Sequence, residues 1–434
     1  MRLFRMGRGE KDPYLVSRSG YVADAALEYF QALLLSGAYL AKLTQSLGIS
    51  DSLTGILTSV VALGCAFKLL SVYLFPKQPV KGRVMIFELL NQVLTFALYL
   101  IPLWGGPGSL GVGLFAAVLV LRAIMLNACF PAKVTWMMGL VDDQKRGRFT
   151  AVKEMVSLIS GVAFTYTMGG VIDRYEAMGN TPGAFRICVL VIVGLLVIRM
   201  GLLFICKEKP APPLRKETAL GMRDVLRQPM MRKLILLNIL IFAAEYITVP
   251  FLGTYQTGEL GFSMTLIAII SFGGSMMRIL ASFYLGSVAD KKGFAAMLRI
   301  CFGLMGAAFL ANMFTVPANG KVMYLIYTAL YSMAMGGVNS ASTNLAFDYA
   351  LPEQRSAVLS VYSSVGGLAG FLATLLVSPL VAHIQASGNQ LFGLPVYAQQ
   401  VMSACSAILM GVLLVYLTKV IMPMKQAGKL SVSE

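Results

Sequence analysis

The sequence predicts an all-α polytopic membrane protein with twelve transmembrane helices arranged as two six-helix bundles. Three observations lead there. Of 434 residues, 57% are hydrophobic and only 13% charged, against about 25% charged residues in soluble domains. Apolar runs long enough to cross about 30 Å of hydrocarbon at about 1.5 Å per residue recur twelve times along the chain. One polar, proline-rich break divides them six and six. Runs of this kind are helical, because a lipid-exposed chain must satisfy its own backbone hydrogen bonds.

Taken in order, a polar, basic tail over 1–20 has no apolar core of its own, which argues against a cleaved signal peptide. Spans are expected at 21–43, 52–75, 83–103, 111–138, 150–173 and 184–206, giving a first bundle over 21–206. The linker 207–231 contains Pro210, Pro212 and Pro213 and is extended there; its basic second part, with Arg223 and Arg227, fits either a solvated connection or a short interfacial helix. The second bundle, 232–422, has spans at 232–254, 262–288, 296–316, 321–347, 356–384 and 395–422, with a tail over 423–434.

The net charge of +16 is a topology signal rather than a nucleic-acid surface. On the side that would hold both termini lie 26 of the 36 Lys and Arg residues, against four on the other side. The positive-inside rule therefore places both termini in the cytoplasm of a cell membrane. The six cysteines lie in or beside apolar runs and form no CxxC pair, so neither disulfides nor a metal site is expected. No cofactor motif is present, nor any HExxH, GxSxG or Walker-type phrase, so an enzyme is not expected.

An internal repeat links the halves. Leu47-Gly48-Ile49-Ser50 matches Leu260-Gly261-Phe262-Ser263 at an offset of 213. The segment 143–147 matches 352–356 at an offset of 209, which also superimposes Gly161 on Gly370. Near-constant offsets imply two parallel bundles related by an axis along the membrane normal.

With its six-plus-six spans, its basic linker and the loop Gly286-Ser-Val-Ala-Asp290-Lys-Lys-Gly293, the chain resembles the major facilitator superfamily of secondary transporters. The resemblance implies a central cavity lined by spans 1, 4, 7 and 10, and alternating access by rocking of the bundles. It also implies a cytoplasmic gate at that loop. Gly286 and Gly293 would permit a tight turn, and Asp290 would face the N-terminus of span 11 and Arg355. The alternative is a solvated turn. The first half lacks the acid: Lys77 stands where the second half has Asp290, while Asp142 and Asp143 occupy the opposing loop. A charge-swapped latch of Lys77 or Lys81 with Asp142 or Asp143 is one reading, and coincidental loop charge the other.

Charges inside spans are costly unless they face a partner or a wet cavity. Glu245 lies near the middle of span 7 with Pro250 beyond it, and Asp24, Glu28 and Gln31 form a stripe on span 1. Arg122 in span 4, with Asn127 further along, is expected to pair with Glu28 or Glu245. These groups suit either proton coupling or static ion pairing. Tyr324, Tyr327 and Tyr331 share a face of span 10 ahead of Asn339; they suit a ring-bearing solute or an interfacial anchor. The expected function is transport of a small organic solute, coupled to protons, by a monomer in the lipid bilayer. The alternative is a lipid flippase or another non-solute-transporting protein of the same fold.

Overall fold

The computed structural model describes residues 13–75, 79–104, 108–142, 145–209, 227–349, 355–391 and 393–423. In the first half, α1 (Leu15–Leu34) is followed by α2 (Gly37–Ser46). Helix α3 (Asp51–Gly64) runs through a 3-10 stretch (Cys65–Leu70) into α4 (Ser71–Leu74). Then come α5 (Lys81–Trp104), α6 (Ser109–Met138), α7 (Arg146–Ala177) and α8 (Thr181–Ile205). In the second half, α9 (Pro229–Tyr246) continues through a 3-10 turn (Val249–Phe251), α10 (Leu252–Thr254) and a π turn (Tyr255–Glu259). It is followed by α11 (Met264–Lys292), α12 (Phe294–Met313), α13 (Gly320–Met335), α14 (Val338–Phe347) and α15 (Arg355–Ala386). A two-residue antiparallel ladder, β1 (Gln390–Leu391) with β2 (Leu394–Pro395), leads to α16 (Ala398–Tyr416).

Among the described residues, ten helical stretches are long and apolar enough to cross a membrane. The expected spans 21–43 and 321–347 are not among them, and each is broken. Gly37, at φ +51, divides α1 from α2. Between α13 and α14 the cause is close approach: a Cβ on Gly336 would sit 2.8 Å from Arg278 O of α11. Irregular backbone inside a membrane protein is tolerated where protein surrounds it. Large apolar side chains such as Phe204, Phe283 and Leu376 are exposed on the long helices, as expected of surfaces that meet lipid.

The chain divides into two compact units: one takes residues from 1–49, 67–214 and 263–268, the other from 50–66, 215–262 and 269–434. Packing therefore exchanges two short segments relative to the six-and-six division of the sequence. In the first unit, Asp173 of α7 accepts from Met264 N at 2.7 Å and Thr265 N at 2.8 Å, capping α11. In the second, Gln385 Nε2 of α15 donates to Asp51 Oδ2 at 2.8 Å, and a Cβ on Gly367 would lie 2.2 Å from Ala62 O. Only glycine lets α15 approach α3 that closely.

The expected loop at 286–293 is corrected: α11 runs through Gly286 and Asp290 to Lys292, and Gly293 alone separates it from α12. Gly293 adopts φ 86, ψ 167, a region that side chains other than hydrogen strain to enter. Gly286 makes no turn and has nothing within 4 Å of a Cβ position. Gly293→Ala is therefore expected to destabilise the protein by about 1–3 kcal/mol, while Gly286→Ala leaves stability unchanged or slightly raised. Thermal unfolding of both variants in one detergent checks this pair. Asp290 is exposed in the last turn of α11, where the helix dipole disfavours an acid. Its own helix therefore gives no reason for the carboxylate.

Lys77 and Asp143 lie outside the described residues, and Arg355 is described only as the first residue of α15. Lys81 does not reach towards Asp142: its Nζ donates to Phe204 O at 2.7 Å, and Glu208 caps the start of α5 through Val80 N and Lys81 N.

Candidate functional site

In the first unit, helical spacing builds two facing stripes. Asp24, Glu28 and Gln31 recur on α1 at one turn and then two, and Glu88, Gln92 and Thr95 repeat the pattern on α5. Gln31 Nε2 joins them at 3.4 Å from Gln92 Oε1. Between the stripes enter Lys133 from α6 and Arg199 from α8. Lys133 Nζ lies 2.7 Å from Asp24, 2.6 Å from Glu28 and 2.9 Å from Glu88. Arg199 meets the same three carboxylates at 2.8, 3.3 and 3.0 Å, and its Nη1 donates to Gln31 Oε1 at 2.5 Å.

Three carboxylates thus share two cations on helices that also contribute Tyr21, Val84, Cys129, Ala132 and Leu203 to one buried apolar cluster. Charges attract strongly where water is excluded, and each must be paired because leaving one bare is costly. The Glu28 side chain is 25% exposed, whereas Asp24, Glu88, Lys133 and Arg199 are at 3% or less. Glu28 is the carboxylate of the network that reaches open space.

The expected ion pair of Arg122 with Glu28 is corrected. Arg122 Nε instead donates to Thr95 Oγ1 at 2.8 Å. Glu28 holds Lys133 and Arg199, and Glu245, within its own unit, accepts from the Tyr331 hydroxyl at 2.5 Å. Asn127 is buried and donates to Ala123 O of its own helix at 2.9 Å; Asn339 is exposed on α14. Glu88, Lys133 and Arg199 were not legible as a site. The signal lay in their positions inside apolar runs and in the Glu88, Gln92, Thr95 spacing.

In the second unit, Glu245 sits in the last turn of α9. The helix ends there because Pro250 supplies no N–H to the carbonyl four residues back. That carbonyl, Tyr246 O, instead accepts from Thr374 Oγ1 at 2.7 Å. Above Glu245, Tyr324, Tyr327 and Tyr331 form a ladder with ring centroids 5.4 and 5.5 Å apart, backed by Phe309. Gln256 Nε2 donates to the Tyr324 hydroxyl. The Tyr327 hydroxyl is buried with no hydrogen-bond partner among the described residues. Tyr324 and Tyr327 are buried inside the unit, and Tyr331 is partly so.

The two halves share one more device. Glu28-Tyr29 and Glu245-Tyr246 are followed by the same packing: a Cβ on Gly161 would meet the Tyr29 ring at 2.5 Å, and one on Gly370 the Tyr246 ring at 2.9 Å. Each tyrosine is seated on a glycine of the matching helix, α7 or α15. Seating the tyrosine fixes the rotation of its helix, and with it the direction of the preceding glutamate.

Buried ionisable groups inside a bundle of apolar helices define a class, the polytopic proteins that handle solutes or ions across a bilayer. Residues 25–374 match the Major Facilitator Superfamily, and the chain belongs to that family of membrane transporters. No curated protein matches the chain at a significant level. Among solved structures, the nucleoside transporter NupG aligns with a TM-score of 0.69 at 12% identity, covering 93% of this chain and 98% of its own. A bacterial homologue of the human lysosomal transporter Spinster, inward-facing and occupied, aligns at 0.65 and 12%, covering 94% and 97%. A D-xylose–proton symporter aligns at 0.64 and 14%, covering 92% and 97%. At these identities the likeness is one of fold.

Proposed function

We propose that the chain is a secondary active transporter that moves a small organic solute by alternating access and couples the movement to protons through Glu245 or, failing it, Glu28. The observation that carries this reading is a contrast between two glutamates set by the same local device. Glu28 is held in ion pairs by Lys133 and Arg199, whereas Glu245 accepts from the Tyr331 hydroxyl and forms no ion pair among the described residues, Arg278 acting on it only at a distance. A membrane-embedded carboxylate without a counter-ion in contact changes its charge as its surroundings become wet or dry, and that change is what coupling requires. Neighbouring structures, a D-xylose–proton symporter and a peptide transporter among them, support solutes of this size, and the former supports this coupling ion.

In this reading the sequence halves 21–206 and 232–422 rock as bundles about the linker, in a cell membrane with both termini cytoplasmic and the protein acting as a monomer. Asp290, Gly293 and Arg355 form the cytoplasmic gate of the second half, and Lys77 with Asp143 a charge-swapped latch in the first. An acid at the C-terminal end of α11, unfavourable for that helix, is what a contact made in one state only would leave behind.

The test is uptake of a panel of labelled solutes into proteoliposomes, with and without an imposed pH gradient, alongside movement of a labelled phospholipid. Gradient-dependent solute uptake is expected. Lipid movement without solute uptake would favour a flippase and overturn the reading.

A further inference from the structure

Arg122 is the cation that the charge network leaves over. At the offset of 209 that superimposes Gly161 on Gly370, Arg122 of α6 corresponds to Tyr331 of α13. The ends of the helices agree with that offset, since Met138 closes α6 and Phe347 closes α14. In the second unit Tyr331 spends its hydroxyl on Glu245; in the first, the matching glutamate is already taken by Lys133 and Arg199. Arg122 therefore forms no ion pair of its own among the described residues, and Glu28 and Glu88 act on it only at a distance.

Its plane is nonetheless fixed. Thr95 Oγ1 donates its proton to Asn91 O at 2.8 Å, which leaves a lone pair for Arg122 Nε at 2.8 Å. Nη1 and Nη2 hold no partner among the described residues, and neither is sealed from the surface, although the residue is only 6% exposed. A buried guanidinium with two unspent nitrogens is incomplete, because such groups are retained when an oxyanion completes them.

We propose that Arg122 binds the carboxylate of the transported solute, which is a monocarboxylic acid. The proposal deepens the transport reading above and rests on it. With Lys133 and Arg199, Arg122 brings the cations level with Asp24, Glu28 and Glu88, so a bound monoanion adds a single negative charge, which a proton taken up with it would offset. A dianion such as phosphate would add a second charge beside three carboxylates, a cation would be repelled by Arg122, and a neutral acceptor would make only weaker hydrogen bonds with the two nitrogens, without the charge-assisted pair. The unspent pair also matches the two oxygens of a carboxylate in a bidentate geometry.

The experiment measures proteoliposome uptake of labelled benzoate and lactate against benzamide, lactamide and inorganic phosphate, for the wild type, Arg122→Gln and Arg122→Lys. The acids are expected to enter and the amides and phosphate to be excluded. Arg122→Gln is expected to raise KM for the acids by about 10- to 100-fold, and Arg122→Lys to restore part of the loss. Thermal unfolding shows whether each variant is folded, and the acids should stabilise the wild type but not Arg122→Gln. Entry of amides with KM unchanged in Arg122→Gln overturns the carboxylate site while leaving transport standing, as does uptake of phosphate in place of the acids. Gradient-independent behaviour of every solute, neutral ones included, overturns the transport reading as well.

Discussion

Arg199→Gln is expected to cost the protein about 3–5 kcal/mol of stability, the range for removing one partner of a buried ion pair. Arg199 is fully buried and meets Asp24, Glu28, Glu88 and Gln31 at once. Without it, three carboxylates face a single ammonium on Lys133, and Asp24 and Glu88 are buried away from the surface. Arg199→Lys keeps the charge but loses the planar fork, so an intermediate loss is expected. Pairing Arg199→Gln with Asp24→Asn restores the balance of charge and should recover part of the stability. Unfolding in detergent reads all three. A wild-type midpoint in Arg199→Gln would mean that the network does not hold the first unit together.

Glu245→Gln is expected to abolish accumulation while leaving exchange intact. The amide oxygen of Gln still accepts from the Tyr331 hydroxyl, so the local packing survives, but the side chain no longer carries a proton on and off. Under a gradient of one pH unit, a wild-type transporter that moves one proton with each monocarboxylate anion accumulates the anion about tenfold, since one unit is worth about 1.36 kcal/mol. The variant should equilibrate its solute and go no further. Counterflow, in which labelled solute exchanges for unlabelled across the membrane, should persist. Undiminished accumulation in Glu245→Gln would remove Glu245 from the coupling mechanism and leave Glu28.

Much of the architecture is legible from hydropathy because the bilayer sets span length, and ten of the twelve expected spans are continuous enough to cross. The two that are broken, at Gly37 and at Gly336-Gly337, fail for tertiary reasons: a positive φ and the passage of α11 past Gly336. No periodicity encodes either. The end of α11 was misplaced because Gly286, Asp290 and Gly293 look like turn residues, yet only Gly293 turns.

The site was legible in part. Glu28, Asp24 and Gln31 stand out by spacing, and Glu245 by depth and by Pro250. The echo of Glu28-Tyr29 in Glu245-Tyr246 is out of register by about one turn in sequence, and only the seating of Tyr29 on Gly161 and Tyr246 on Gly370 explains it. The partners of Glu28 were not legible. Lys133 and Arg199 lie 105 and 171 residues away from it, and nothing local distinguishes them from Arg122 as a counter-ion. Choosing among three buried cations for one carboxylate is a question of helix rotation, which a single sequence does not determine.

The central claim is that solute and proton cross together. Its most direct measurement is the external pH of a weakly buffered proteoliposome suspension, with no gradient imposed, after a transported solute is added outside. Symport predicts that the outside becomes more alkaline as protons enter with the solute; antiport predicts that it becomes more acid. Either change should vanish in Glu245→Gln. Solute entry with no change of external pH in the wild type would contradict the account.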